Sequence, residues 1–240
     1  MALANTIGQA VVRIAPLAAP RPIGAALRAI LNAAINGVGS VPGARVSAGR
    51  RLARHHGDHE ATIQAIIAQH ALAGGVGGFV TNLGGVVVLA ASLPANLASL
   101  ALTQSRMVAS IAHLRGYDLD DPRVRAAIME CLLGRALVDD MVARGELPST
   151  PIGLATAPMA DPDLEQQICQ KVLTAWLAQM GGKQTVAFVA KRVPVIGGGV
   201  GAATDGLSTR AVGRYAATQF VSRRQVGHTV GEPGPATGDA

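Results

Sequence analysis

The chain has 240 residues, 49% of them hydrophobic but only 2% aromatic, with two cysteines and a formal net charge of +6. It is long enough to bury a full core, and Cys131 and Cys169 are too few for a disulfide framework or a zinc site. With six aromatics to stack bases and no recognisable reading helix or finger, nucleic acid is not the expected partner of its basic charge.

That charge is segregated. Residues 1–70 carry seven Arg against Asp58 and Glu60, residues 71–180 carry seven basic and ten acidic groups, and residues 181–230 carry seven basic groups against Asp205. Two basic ends around an acidic middle suit an anionic membrane surface, where each Lys or Arg contributes about 1 kcal/mol. The apolar content is Ala, Val, Leu and Ile with 29 Gly, so the core is expected to rely on close backbone approach.

In chain order, residues 3–18 read as an amphipathic helix closed by Pro20 and Pro22. A second helix over 22–36 places Ile23, Leu27, Ile30 and Leu31 on one face before Gly37 and Gly39 break it. A basic segment, Arg45 to His56, ends at Gly57, and Asp58 caps a helix bearing Ile63, Ile66, Ile67 and His70. These first 57 residues form an N-terminal amphipathic and basic unit ahead of a helical domain at 58–226.

From Ala71 to Ser105 no Asp, Glu, Lys, Arg or His occurs, a run of 35 residues. Glycines crowd its first half and Pro94 and Asn96 divide it, which predicts two short helices rather than one bilayer-spanning segment. Val86 to Val88 is the one stretch that competes as a strand. The second of these helices, 95–115, acquires Arg106 and His113 and stops at Gly116. Asp121 and Pro122 open a helix that Gly145 closes. A proline-rich link, 148–158, leads to a helix from Asp161-Pro162 to Met180, ended by Gly181-Gly182. A further helix over 183–192 precedes the glycine cluster at 197–201, which opens a last helix carrying Asp205, Arg210, Arg214 and Tyr215. Residues 227–240 read as a disordered tail. The fold class is all-α, an antiparallel multi-helix bundle with two glycine-rich apolar hairpin segments, around 74–93 and 193–207.

Catalytic templates fail. Gly199-Val-Gly201 lacks the third glycine of a dinucleotide fingerprint, and Gly182-Lys183 is followed by Gln184 where a P-loop needs Ser or Thr. The cluster His55-His56-Gly-Asp-His59-Glu60 has Ile63 where a zincin needs its second histidine, so no metal and no cofactor are expected. Both cysteines read as reduced core thiols, and His70 as a satisfied core or boundary histidine. Gly74-x-x-x-Gly78 and Gly197-x-x-x-Gly201 have the spacing at which helices touch backbone to backbone, in a tight core or around acyl chains. A charge on an apolar helix is costly unless paired, so Asp205 is expected to pair with Arg106 or Arg210. The alternative is that an arginine holds a phosphate or carboxylate head group at the mouth of an apolar pocket. The candidate ligand-binding set is Gly78, Phe79, Gly84, Gly85, Pro94, Asn96, Arg106, His113, Gly197, Gly201 and Arg210.

Several segments, taken in order, resemble the EcsC protein family. They include Ile67-Ala68-Gln69-His70, Gly78 to Gly85, Leu93 to Leu97, Ile111 to Asp118, Cys131 to Gly134, Val193 to Gly197 and Thr209 to Gly213. The resemblance spans 61–220. The family is named after a bacterial gene adjacent to an ABC transporter pair; the resemblance implies a helical fold and a bacterial origin and supplies no catalytic residue, and the peptidase label of some members finds no nucleophile–base pair or metal motif here.

The expectation is therefore a non-enzymatic, lipid- or apolar-ligand-binding helical protein, cytoplasmic and peripheral at the inner face of the cell membrane. The N-terminus supports that location, because no charge precedes its apolar residues and Arg13 interrupts them, unlike a signal peptide. The alternatives are an accessory subunit docking on a membrane transporter or other protein, and a hydrolase of unrecognised type.

Overall fold

The computed structural model describes residues 20–39, 41–75, 95–158, 161, 163–190 and 197–223. Among them are nine helices and one two-stranded ribbon. The helices are α1 (Pro20–Asn36), α2 (Ala44–Arg54), α3 (His59–Gly75), α4 (Ala95–Leu114), α5 (Pro122–Cys131), α6 (Arg135–Ala143), α7 (Pro151–Ala155), α8 (Leu164–Ala190) and α9 (Gly197–Gln219). The ribbon, β1 (Gly37–Val38) with β2 (Val41–Pro42), is antiparallel and turns the chain from α1 into α2. The all-α class is established. Residues 1–19, 76–94 and 224–240 fall outside the description, and with them the predicted first helix, most of the first glycine-rich segment with its Val86–Val88 stretch, and the tail.

Helix α4 is the hub. It packs against α1, α2, α3, α5 and α9, and from Ala101 to Ala112 every residue except Arg106 is buried. A helix enclosed on all sides has no face to give to water, so its polar groups must find partners within the protein. Two do so locally: Thr103 Oγ1 donates to Ser99 O at 2.9 Å and Ser110 Oγ to Arg106 O at 2.8 Å, while Gln104 Oε1 has no partner among the described residues. Gln104 Nε2 donates to Thr209 Oγ1 on α9 at 3.3 Å. Residues 101–105, the last of the uncharged run, thus fill the protein's own interior. Small side chains make this possible, because Ala101, Ser105, Ala109 and Ala112 let five helices approach one axis.

Two glycines of α9 serve the same end. A Cβ at Gly206 would stand 2.9 Å from Ala71 O of α3, and one at Gly213 would stand 2.9 Å from both Ile67 Cγ1 and Met107 Sδ. Seven residues apart, they share one face. Gly197 and Gly201 occupy the first two turns of α9.

The expected division at residue 57 does not separate two cores. Leu27, Ile30, Leu31 and Ile35 of α1 are buried in the same cluster as Ile111, Ile128 and Phe220. Across that boundary, Arg125 of α5 forks onto Glu165 of α8 at 2.7 and 3.0 Å and also donates to Asn32 Oδ1 of α1 at 2.7 Å.

Helix ends follow the sequence signals in part. The Asp58 carboxylate accepts from Ala61 N at 2.9 Å and that of Asp121 from Arg123 N at 2.9 Å, as caps should. The single helix expected between Asp121 and Gly145 is instead two, because Gly134 adopts φ +75° between Cys131 and Arg135. Gly181-Gly182 do not end α8, which runs on to Ala190. Glycine in a helix costs only about 1 kcal/mol relative to Ala, so good helix formers on both sides carry the helix through. The proline-rich link contains the short α7, with Pro151 in its first turn.

The ribbon depends on Gly43, where a Cβ would strike the backbone of Ile35 and Asn36. Gly43→Ala is expected to lower the urea-unfolding free energy by about 3 kcal/mol or more, since backbone cannot rotate aside as a side chain can. Gly49→Ala, on an open face of α2, should instead stabilise by roughly 0.5–1 kcal/mol. Equal responses at the two positions would contradict the tight turn.

Candidate functional site

A cavity of about 330 Å³ opens between α2, α3, α4 and β2. Its distinguishing feature is charge of one sign. Arg50, Arg51 and Arg54 line it from α2 and Arg106 from α4, and no Asp or Glu among the described residues takes part in the lining. The three on α2 fall together because positions 50, 51 and 54 are one turn apart, and that helix contains no acidic residue. Ser47, His70, Thr103 and Ser110 add polar atoms, while Leu102, Ala73, Val41 and Pro42 supply the apolar wall.

Arg106 is held in place. Its Nη2 donates to the carbonyl of Pro42 and to Ser47 Oγ, the latter at 2.8 Å. The turn through Gly37 and Gly43 is therefore what aims this guanidinium, by putting the Pro42 carbonyl over it. Burial is the main cause pulling the Arg106 pKa below the usual arginine value, and the charge of Arg51 adds to it. Arg51 is lowered likewise, by burial and then by Arg54. Like charges thus press on one another here. Elsewhere in the protein, Arg28, Arg45, Arg115, Arg123, Arg125 and Arg144 each meet a carboxylate. Among the described residues no ion pair reaches the four cavity arginines.

His70 borders this cavity as a neutral ring. Its Nδ1 lies 2.8 Å from Ile66 O, which assigns the proton to that nitrogen as donor. Burial brings its pKa down to about 4, with Arg51 and Arg106 contributing against a backbone bond that opposes them.

Of the residues predicted from sequence that the structure describes, Arg106 alone lines the cavity. His113 lies two turns further along α4, and Arg210 is exposed on α9. Asn96 stands in the first turn of α4, and Gly197 and Gly201 in the first turns of α9. Gly78, Phe79, Gly84, Gly85 and Pro94 lie outside the described residues. The expected Asp205 ion pair is not formed: Arg106 turns to Pro42 and Ser47, Arg210 faces solvent, and neither meets Asp205 among the described residues. Arg50, Arg51 and Arg54 were legible as a basic helix but not as one wall of a cavity. In the histidine-rich segment Glu60 pairs with Arg115 at 2.8 Å, and no group of three potential metal ligands occurs among the described residues.

A second titratable group was not foreseen. Glu130 on α5 is fully buried, and neither of its carboxyl oxygens has a hydrogen-bond partner among the described residues. Burial raises its pKa to about 8, against a smaller opposite pull from Lys171. The neighbouring thiol of Cys131 is also raised by burial, and the buried Cys169 is pushed up to about 12, so neither is a thiolate nucleophile at neutral pH.

The family model of the EcsC protein family matches residues 13–224. The chain belongs to the EcsC protein family. The match begins well before residue 61, so α1 and α2, with the three arginines of that helix, are part of the family's own extent. No curated protein and no solved structure matches this family member.

Two outcomes follow from these charges. In low-salt buffer without polyvalent anions, Arg51→Gln is expected to raise the urea midpoint, because it removes like-charge repulsion and unfavourable burial. Arg125→Gln should lower stability by about 3 kcal/mol by stranding the buried Glu165. A drop of similar size in both would mean that Arg51 has a stabilising partner.

Glu130 and His70 set the pH profile in opposite senses. Native Glu130 keeps a proton that the unfolded chain releases above about 4.5, so its contribution is lost as pH rises towards about 8. Native His70 refuses a proton that the unfolded chain binds below about 6.5, so its contribution is lost as pH falls towards about 4. The two largely cancel between about 4.5 and 6.5, and from 6.5 to 8 the Glu130 loss stands alone, about 2 kcal/mol at 1.4 kcal/mol per unit. Chemical denaturation across that range should show the decline in the wild type and not in Glu130→Gln. A flat wild-type profile would contradict a neutral buried carboxyl.

Proposed function

We propose that this protein binds a lipid or lipid-like ligand at an anionic membrane surface on the cytoplasmic side, without catalysing a reaction. The observation that carries this reading is a juxtaposition at the C-terminal end of α3. Gln69, His70 and Ala73 line the arginine cavity, while Leu72 is 73% exposed. Leu72 follows Gln69 by three residues, so it occupies the adjoining strip of the helix surface. Close by, where Gly206 abuts Ala71, α9 presents Leu207 at 69% exposure. Large exposed leucines beside unpaired cations are the two halves of an amphiphile's complement.

No described helix is long and apolar enough to cross a membrane. The reading is accordingly one of docking on a surface by side chains at helix ends.

The same leucines would serve an accessory subunit that docks on a membrane transporter. The hydrolase alternative has less support. Ser47 Oγ reaches Pro42 O at 3.4 Å and Ser110 Oγ donates to Arg106 O, so the serines of the cavity are turned to carbonyls. Among the described residues no hydroxyl is hydrogen-bonded to His70.

Flotation with phosphatidylglycerol-containing vesicles at low salt is expected to carry the protein upward. Leu72→Ser together with Leu207→Ser should weaken partitioning by roughly tenfold per leucine inserted, the scale of burying such a side chain. Absence of flotation, combined with absence of co-purifying lipid by mass spectrometry, would reject the reading. Capture of a transporter subunit by lipid-free protein would then favour the accessory role.

A further inference from the structure

We propose that the cavity between α2, α3 and α4 is a site for a phosphate monoester, holding its terminal phosphate between Arg106 and the arginines of α2. This deepens the membrane-surface reading and rests on it for the identity of the ligand's apolar part.

The first ground is charge balance. Arg50, Arg51, Arg54 and Arg106 converge with no carboxylate among the described residues of the lining, in a protein that pairs six other arginines with Asp or Glu. An arrangement in which Arg51 is opposed by both Arg54 and Arg106 lowers stability unless an anion comes to it. A phosphate monoester brings a charge of about −1.5 to −2 at neutral pH and three terminal oxygens. A diester brings one charge and two such oxygens, and leaves more of the repulsion in place.

Pre-organisation is the second. Both contacts that fix Arg106 run through Nη2, to Pro42 O and Ser47 Oγ. Nε and Nη1 have no protein acceptor among the described residues, so each is left to donate singly to an oxygen of the ligand. The ordering cost of that side chain is met by the fold before a ligand arrives.

Size and wall chemistry complete the case. About 330 Å³ lies at the lower end of ligand cavities, enough for a phosphate and a short attached body. Leu102, Val41 and Ala73 give that body an apolar wall. Long acyl chains do not fit within this volume. His70, neutral and with Nδ1 committed to Ile66 O, adds no charge; its Nε2 can accept a hydrogen bond from a protonated phosphate oxygen.

The test is isothermal titration of the full chain at constant ionic strength with dihexanoyl phosphatidic acid, glycerol 3-phosphate and dihexanoyl phosphatidylglycerol. The expected result is at least tenfold tighter binding of phosphatidic acid than of phosphatidylglycerol. Arg51→Gln and Arg54→Gln, both chosen because they should fold, are each expected to weaken monoester binding at least tenfold without lowering the melting temperature of free protein. Glycerol 3-phosphate binding as tightly as phosphatidic acid would identify a free phosphometabolite as the source, whereas tight binding of phosphatidic acid alone would identify a lipid headgroup. Equal affinity for monoester and diester, or unchanged affinity in both variants, would overturn the site. Vesicle flotation read alongside separates the two proposals. Flotation on phosphatidylglycerol vesicles that survives Arg51→Gln, with no monoester preference, rejects this site but leaves surface binding. Monoester binding without any flotation does the reverse.

Discussion

A helix packed on every side must be apolar or must draw hydrogen bonds from its neighbours, and α4 does both. It is the axis that α1, α2, α3, α5 and α9 surround, and Arg106 is the only residue from Ala101 to Ala112 that is not buried. A guanidinium at that place in the helix cannot be left without acceptors. The β1–β2 turn answers this by offering the Pro42 carbonyl, and the first turns of α2 by offering Ser47. The acceptors required by one half-buried guanidinium thus come from the path of the chain between α1 and α2. That path also places the arginines of α2 beside Arg106.

The resulting concentration of positive charge has no internal remedy. Elsewhere the fold neutralises its arginines with care: Glu165, almost fully buried, is met by Arg125 and approached by Arg28 at 3.5 Å, and this cluster joins α1, α5 and α8. The contrast between a satisfied cluster joining α1, α5 and α8 and a repelling one between α2 and α4 is characteristic of a site kept at some expense to stability. The exposed leucines at the meeting of α3 and α9 belong to the same region, so cationic and apolar surface lie side by side.

Close approach between helices is the second recurring device. With few large rings, the core relies on Ala, Ser and Gly at crossings, and Gly206 and Gly213 bring α9 against α3 and α4 at distances no Cβ would allow. The few aromatics are used as anchors instead. Tyr117 meets Phe220 edge-on at 5.0 Å and Arg223 lies over its ring at 5.1 Å, which ties the end of α9 to the turn after α4.

Much of this was legible residue by residue. The helical class, the caps at Asp58 and Asp121, and the buried face of Ile63, Ile66 and Ile67 follow from local periodicity and short-range hydrogen bonding, which a linear sequence encodes directly, and the family from the resemblance of short segments taken in order. The division of the helix after Asp121 at Gly134 and the continuation of α8 through Gly181-Gly182 were not, because a glycine permits either outcome and its neighbours in space choose. The Asp205 pairing failed for a related reason: opposite charge says that two groups attract, and only the packing says whether they can meet. Sequence alone determined that Arg50, Arg51 and Arg54 belong to one basic segment and that Arg106 sits on an apolar helix. Only the tertiary structure decided that they face one another, because the contact spans more than fifty residues and is imposed by the burial of α4, a constraint that no short window of sequence contains.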